Sequence, residues 1–112
     1  AIVKSLLLKA DDKFVLCLIP GDKKCSLNKL KKAILKKDVC MADADQVKEN
    51  TGFSIGGVSP VGHLKKIDVL IDKTFDRFKD VFAAAGHPNS IFKISNLDLL
   101  KITNGKTLDI SE

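Results

Sequence analysis

Apolar positions along the chain alternate with polar ones over short blocks, then switch to a helical spacing and back. Residues 2–9 (IVKSLLLK) read as a strand, and residues 14–19 (FVLCLI) as a second, almost wholly apolar one. Ala10-Asp11-Asp12-Lys13 between them predicts a hairpin, which Pro20-Gly21-Asp22 ends. Ser26 then opens an amphipathic helix to about Lys37. Leu27, Leu30 and Ile34 fall on one face, and Lys29, Lys32 and Lys36 repeat on another. Residues 39–42 form a short strand, and Asp43 with Gln46 has capping-box spacing for a short helix to about Asn50. Residues 51–62 (TGFSIGGVSPVG) follow neither period and carry four Gly and one Pro in twelve residues. Strands are predicted at 66–71, 81–85 and 91–94, with a helical turn at 74–80 and a loop at Gly86-His87-Pro88-Asn89. Ser95 with Asp98 repeats the capping pattern and opens a helix over 96–102 that Gly105 stops. There is no repeat, low-complexity tract or linker. The fold class is therefore α+β: one domain over residues 1–112, a mixed sheet or partial β-barrel with short flanking helices.

Composition narrows the class. A chain of 112 residues fits one domain, and 45% hydrophobic with 29% charged residues excludes a disordered polymer. No run nears the roughly 18 apolar residues of a membrane span, and no secretory leader is visible. The start at Ala1, already strand-like, suggests a processed or truncated N-terminus. The net charge of +5 is uneven: residues 1–40 hold ten Lys against four Asp (+6), while residues 41–112 hold nine cations against ten acids (−1). A basic lobe suits a polyanion, and equally a solvated surface. The three cysteines, at 17, 25 and 40, have no CxxC spacing, and His63 and His87 lack partners at ligand spacing, so no metal is expected. Reduced thiols in a cytoplasmic protein are the natural state. Cys17 reads as core, whereas Lys23 and Lys24 could lower the pKa of Cys25.

The strongest local signal is Gly56-Gly57-Val58-Ser59-Pro60. Glycine lets backbone N–H groups approach a ligand, and successive amides of this kind form anion or oxyanion sites. The segment is neither a P-loop nor a dinucleotide fingerprint, and as a bare pattern it is also what a plain turn looks like. Lys4 sits in an apolar strand, where alternation puts it on one face with Ile2 and Leu6, opposite Val3, Ser5 and Leu7. A charge there is costly unless an anion or an opening is near. His87, in a predicted loop, could act as a base, or could be a plain surface histidine. Ser59 has no evident base, so a serine hydrolase is not indicated. Asp68 and Asp72 share a strand face about 13 Å apart, too far for a glycosidase pair. With no Trp or Tyr and a single Arg, any nucleic acid would be held by lysines and backbone rather than by aromatic platforms or bidentate base readout.

These features, in this order, resemble the YbaK/EbsC family of aminoacyl-tRNA deacylases, which includes the editing domain inserted in bacterial prolyl-tRNA synthetase. The matching stretches are IVKSLL at 2–7, Pro20-Gly21-Asp22, the helix at 27–35, Met41-Ala42-Asp43, TGF at 51–53, GGVSPVG at 56–62, Ile71-Asp72, Ala85-Gly86, and Ile94-Ser95 with residues 97–100. The resemblance implies trans-editing hydrolysis of tRNA for proline carrying cysteine, alanine or another small amino acid, with no cofactor and no protein nucleophile. The substrate's thiol, the adenosine 2′-OH or a positioned water would attack.

By the family pattern, Lys4 would contact the phosphate or ribose of the terminal adenosine, and residues 56–60 would supply amides near the aminoacyl carbonyl. Thr51, Gly52, Gly86 and His87 would complete the substrate site, and Lys29, Lys32 and Lys36 would be a tRNA-facing surface. The partners implied are the aminoacyl-tRNA 3′ end and prolyl-tRNA synthetase, in the cytoplasm and away from membranes. Family members usually carry several dozen residues before the first strand, so the chain is expected to lack an N-terminal segment. Where cysteine-specific relatives have a Ser before the glycine, this strand reads Phe82-Ala83-Ala84-Ala85, which leaves the amino acid open. The alternative function is a non-catalytic module holding a tRNA 3′ end or a synthetase, and a third is a small-anion or nucleotide binder on the same amides.

Overall fold

The computed structural model describes residues 2–87 and 90–112, without the side chain of His87; Pro88 and Asn89 of the predicted loop lie outside the described residues. Strands β1 (Val3–Ala10) and β2 (Lys13–Pro20) form the predicted antiparallel hairpin, with Lys4 opposite Ile19 and Ser5 opposite Leu18. Asp11 turns the chain at φ 53°, a conformation Asp tolerates, and its carboxylate accepts from the Asp38 N–H at 2.9 Å. That bond ties the hairpin tip to the start of β3 (Val39–Met41), which pairs antiparallel with the last residues of β1.

Helix α1 (Leu27–Ile34) is capped by Ser26, whose Oγ accepts from the Lys29 N–H. It ends earlier than the sequence period suggests. Leu35 adopts the left-handed conformation at φ 57°, because the chain must turn there to enter β3. Helix α2 (Ala44–Thr51) carries the predicted capping box, both bonds of Asp43 with Gln46 being made. Strand β4 (Asp68–Asp72) runs parallel to β2, and a 3₁₀ turn at Lys73–Arg77 takes the place of the predicted helical turn.

Strands β5 (Asp80–His87) and β6 (Ser90–Ser95) pair as a separate two-stranded sheet. The expected loop at Gly86-His87 is thus corrected: both residues belong to β5. An irregularity in register between Ala84 and His87 absorbs Gly86 at φ 85° without ending the strand. Helix α3 (Asn96–Thr103) begins at its Ser95 cap. It is ended by Asn104 in the left-handed conformation rather than by Gly105. Gly105 answers a different need, since a Cβ there would lie 2.8 Å from Ile71 Cδ1. Strand β7 (Lys106–Leu108), which the sequence pattern did not reveal, adds parallel to β4.

The main sheet therefore has the order β3-β1-β2-β4-β7 and is mixed; among the described residues it does not close into a barrel. β2 lies at its centre and is buried on both faces, which explains its unbroken apolar run. Alternation divides the core in two. Leu7, Leu16, Leu18 and Ile71 pack under Val47, Val58 and Leu99 on one face. Leu8, Cys17, Ile19 and Leu70 pack under Leu30 and Ile110 on the other. Asp72 closes the second face. Buried, it accepts from the Ile110 N–H at 3.0 Å and from Thr74, and so ties the C-terminal segment to the sheet. Among the described residues no helix is long and apolar enough to cross a membrane.

Candidate active site

β3 covers only the end of β1, and Ala42 donates its N–H to the Leu7 carbonyl at 3.0 Å, so residues 3–6 of β1 have no strand partner on that side among the described residues. A cleft of about 400 Å3 opens along that edge. Its walls are Val3, Ser5 and Leu7 of β1, Ala42 and Val47 at α2, Gly56 and Val58 of the Gly-rich segment, and Ala84 of β5. A bridge between Ile2 and Phe82 brings β5 to the mouth of this edge.

The Gly-rich segment turns tightly. Gly57 donates its N–H to the Ser54 carbonyl at 2.9 Å, so that amide is already used. Gly56, at φ 86°, lies in a conformation that other residues adopt only with strain. The N–H groups of Gly56 and Val58, two residues on the cleft wall, find no partner among the described residues. Ser59 and Pro60 are buried behind them. Ser59 Oγ accepts from the Val61 N–H at 3.3 Å, and the Ser59 carbonyl accepts from His63 Nε2 at 2.7 Å. His63 is therefore a clasp on the loop rather than an idle side chain. Its ring stands edge-on to Phe53, with centroids 6.2 Å apart.

Phe53 also reaches β5. A Cβ on Gly86 would sit 2.7 Å from Phe53 Cε1, so the absence of a side chain there lets β5 close on the loop. Gly86 does not itself line the cleft. Neither do Thr51 and Gly52, which end α2. Thr51 Oγ1 donates to the Val47 carbonyl at 2.7 Å and accepts from the Phe53 N–H, which fixes where Phe53 leaves the helix. The side chain of His87 lies outside the described residues.

Lys4 lines the cleft, yet its Nζ donates to the Lys23 carbonyl. In the β1–β2 register it stands opposite Ile19, on the α1 face of the sheet, whereas Val58 packs on the other face. Cys25 shares this neighbourhood: the adjacent Cys17 thiol lowers its pKa, against burial and the Asp72 charge, which raise it, with Lys4 adding a smaller lowering effect. The Cys25 sulfur beside it and burial push the Cys17 thiol up. All three cysteines are free. The α1 lysines lie on this opposite face, and Lys29 is already engaged, donating to Asp109 at 3.1 Å and to the Ser111 carbonyl at 2.8 Å.

Ser5 is a further residue of the site, and its signal in the sequence is a hydroxyl alternating with Val3 and Leu7 on an apolar face. Its Oγ is buried at the cleft wall with no hydrogen-bond partner among the described residues. An unpaired buried hydroxyl costs about 1–3 kcal/mol. A ligand atom that reaches it would recover that cost.

Comparison with known proteins decides the family. The profile of the aminoacyl-tRNA editing domain matches residues 1–102. The chain belongs to the aminoacyl-tRNA editing domain family. Within that family it is 35% identical over 101 residues to a proline–tRNA ligase of Caldicellulosiruptor bescii, covering 90% of this chain and 17% of the ligase. It is 39% identical over 97 residues to that of Lactobacillus acidophilus, covering 87% and 17%. The chain thus spans about a sixth of the length of the ligases it matches. A crystal structure described as a candidate trans-editing enzyme for prolyl tRNA synthetase superposes with a TM-score of 0.95 at 32% identity, covering 99% of this chain and 70% of that one. The editing-domain fold is therefore this chain's fold, as the motif resemblance implied.

Proposed function

We propose that this editing domain hydrolyses the ester of tRNA for proline mischarged with a small amino acid such as cysteine or alanine. The observation that carries the reading is the pair of amides, Gly56 and Val58, without a partner among the described residues on the wall of a largely apolar cleft. When an aminoacyl ester is attacked, its carbonyl oxygen becomes an oxyanion. Two preorganised N–H donors aimed at that oxygen stabilise the charge that develops on it. Among the described residues, no hydroxyl or thiol paired with a base lines the cleft. A water, the adenosine 2′-OH or a substrate thiol held against the amides is the attacking group, and the protein contributes position and electrostatics. Val3, Leu7, Ala42, Val47 and Ala84 favour a short, uncharged acyl side chain, because a charged one would lose its hydration there.

The remaining residues take supporting parts. Lys4 meets the phosphate or ribose of the terminal adenosine at the edge of the cleft. Thr51, Gly52, Gly86 and His87 act through the loop and strand they belong to. Ser59 and Pro60 hold Val58 in place from behind. Lys32 and Lys36 meet the tRNA body, whereas Lys29 stays with Asp109. The domain works in the cytoplasm, beside or within a prolyl-tRNA synthetase. Support for the proline system comes from the ligase relatives and the superposed structure.

The test is deacylation of cysteinyl-, alanyl- and seryl-tRNA for proline, with correctly charged prolyl-tRNA as the control. The small mischarged esters are expected to hydrolyse and the prolyl ester to survive. No turnover of any of the three by the folded chain overturns the reading. Salt-dependent tRNA binding without turnover selects the non-catalytic module instead.

A further inference from the structure

The cleft does not end at Lys4. A second, more open hollow of about 600 Å3 adjoins it, and the two share Ile2 and Lys4 as walls. The other walls of the hollow are Gly21, Asp22 and Phe78. Ile2 is 60% exposed, a large apolar side chain left uncovered at the junction. Phe78 is half-buried, and the Arg77 guanidinium lies over its ring, 4.7 Å from the centroid. Asp22 holds that guanidinium at two points, at 3.1 and 3.3 Å. The hydrogen bonds from Arg77 lower the Asp22 carboxyl from its ordinary value, and the pair fixes the rim of the hollow. At Gly21 a Cβ would press on the Ile2 carbonyl at 3.3 Å, so a side chain there would crowd this wall.

We propose that this hollow is the subsite for the nucleotide preceding the terminal adenosine, with its base against Phe78 and Ile2. The inference rests on the editing reading only for the identity of the ligand in the first cleft. An aminoacyl ester placed against Gly56 and Val58 sits on a ribose whose 5′ phosphate must leave the cleft. The shared walls are Ile2 and Lys4, so a chain leaving that way passes an ammonium group, and the next base arrives at an apolar wall with an aromatic ring. Bases stack on aromatic rings whatever their sequence, and Arg77, which lies over the ring but is not a wall of the hollow, leaves the part of Phe78 that faces the hollow to the base. The apolar character of Ile2 and Phe78 favours a base over a bare phosphate in this position. The missing Trp and Tyr therefore do not leave the site without a stacking surface, because Phe78 supplies one.

The experiment compares equilibrium binding of cytidylyl-adenosine and adenosine 5′-monophosphate to the chain, for the wild type, Phe78→Ala and Phe78→Leu. The wild type is expected to bind the dinucleotide about tenfold more tightly, the size of one stacked base. Phe78→Leu keeps apolar bulk against the core and is expected to bring the two affinities together while leaving that for the mononucleotide unchanged. Phe78→Ala should do the same if a thermal melt shows it folded. Equal affinities in the wild type, binding of neither ligand, or a preference that survives Phe78→Leu overturns the subsite. A chain that binds the dinucleotide through Phe78 but hydrolyses no mischarged tRNA fails the catalytic reading alone.

Discussion

Replacing Ser5 by alanine removes one oxygen from the wall of the cleft and separates stability from function. The Ser5 hydroxyl is buried and has no partner among the described residues, so the folded state carries its desolvation cost, about 1–3 kcal/mol. Alanine removes that cost and leaves a gap smaller than a methyl group, which returns part of the gain. The net expectation is a stabilisation of about 1 kcal/mol, or roughly 4 °C in Tm for a domain of this size. If the hydroxyl bonds the bound aminoacyl-adenosine, the same change removes one neutral hydrogen bond. That bond is worth about 1 kcal/mol, or about fivefold in kcat/KM. The assay pairs a thermal melt with deacylation kinetics on alanyl-tRNA for proline. The signature is opposite movement: Tm rises while kcat/KM falls. A drop in Tm of several degrees would mean that the hydroxyl is already bonded in the free protein, and an unchanged kcat/KM would mean that it never meets substrate. Either result refutes the reasoning.

Other expectations follow from particular contacts. Gly86→Ala must place a Cβ 2.7 Å from Phe53 at φ 85°, and is expected to destabilise by about 1–2 kcal/mol from the backbone alone, measured by denaturant unfolding. It should also slow deacylation by loosening the Phe53 contact. Burial pushes the Asp72 carboxyl up, but its bonds from Thr74, the Ile110 N–H and Ser111 outweigh that and hold it below its ordinary value. Its contribution is therefore present above the unfolded pKa near 3.9 and is lost as pH falls through the lower folded value. Asp72→Ala should cost about 1–3 kcal/mol at pH 7 by orphaning the Ile110 N–H, and should flatten the acid limb of the stability curve. In maleimide labelling of the folded chain at neutral pH, exposed Cys40 and half-buried Cys25 should react, and Cys17 only after unfolding.

Local chemistry accounts for much of the architecture. The hairpin needed only two apolar runs around an Asp-Asp turn, and the Asp43–Gln46 box fixed the start of α2 to the residue. The almost unbroken apolar run at 14–19 predicted a strand with Cys17 in the core; the sheet order, which places it at the centre and buries both its faces, came from the tertiary structure. What failed to show was set by distant partners. α1 keeps its period to Lys36 but stops at Ile34 because the next strand lies behind it. β7 is three residues long and exists because β4 offers an edge. The site divides in the same way. The Gly-rich segment was recognisable by composition, but Gly57 proved to be the amide spent on the turn, a matter of which carbonyl is near.

The sequence by itself determined the fold class, the family motifs and the positions of the loop and of Lys4, because these depend on local propensity, turn chemistry and strand alternation. Only the tertiary structure decided what each of them faces. It put Lys4 between two cavities and left the Ser5 hydroxyl without a partner among the described residues. It spent Lys29 on Asp109, made His63 and Phe53 the fasteners of the loop, and set Phe78 on a wall beside the cleft. Those outcomes turn on contacts between residues far apart in the chain, which no local pattern encodes.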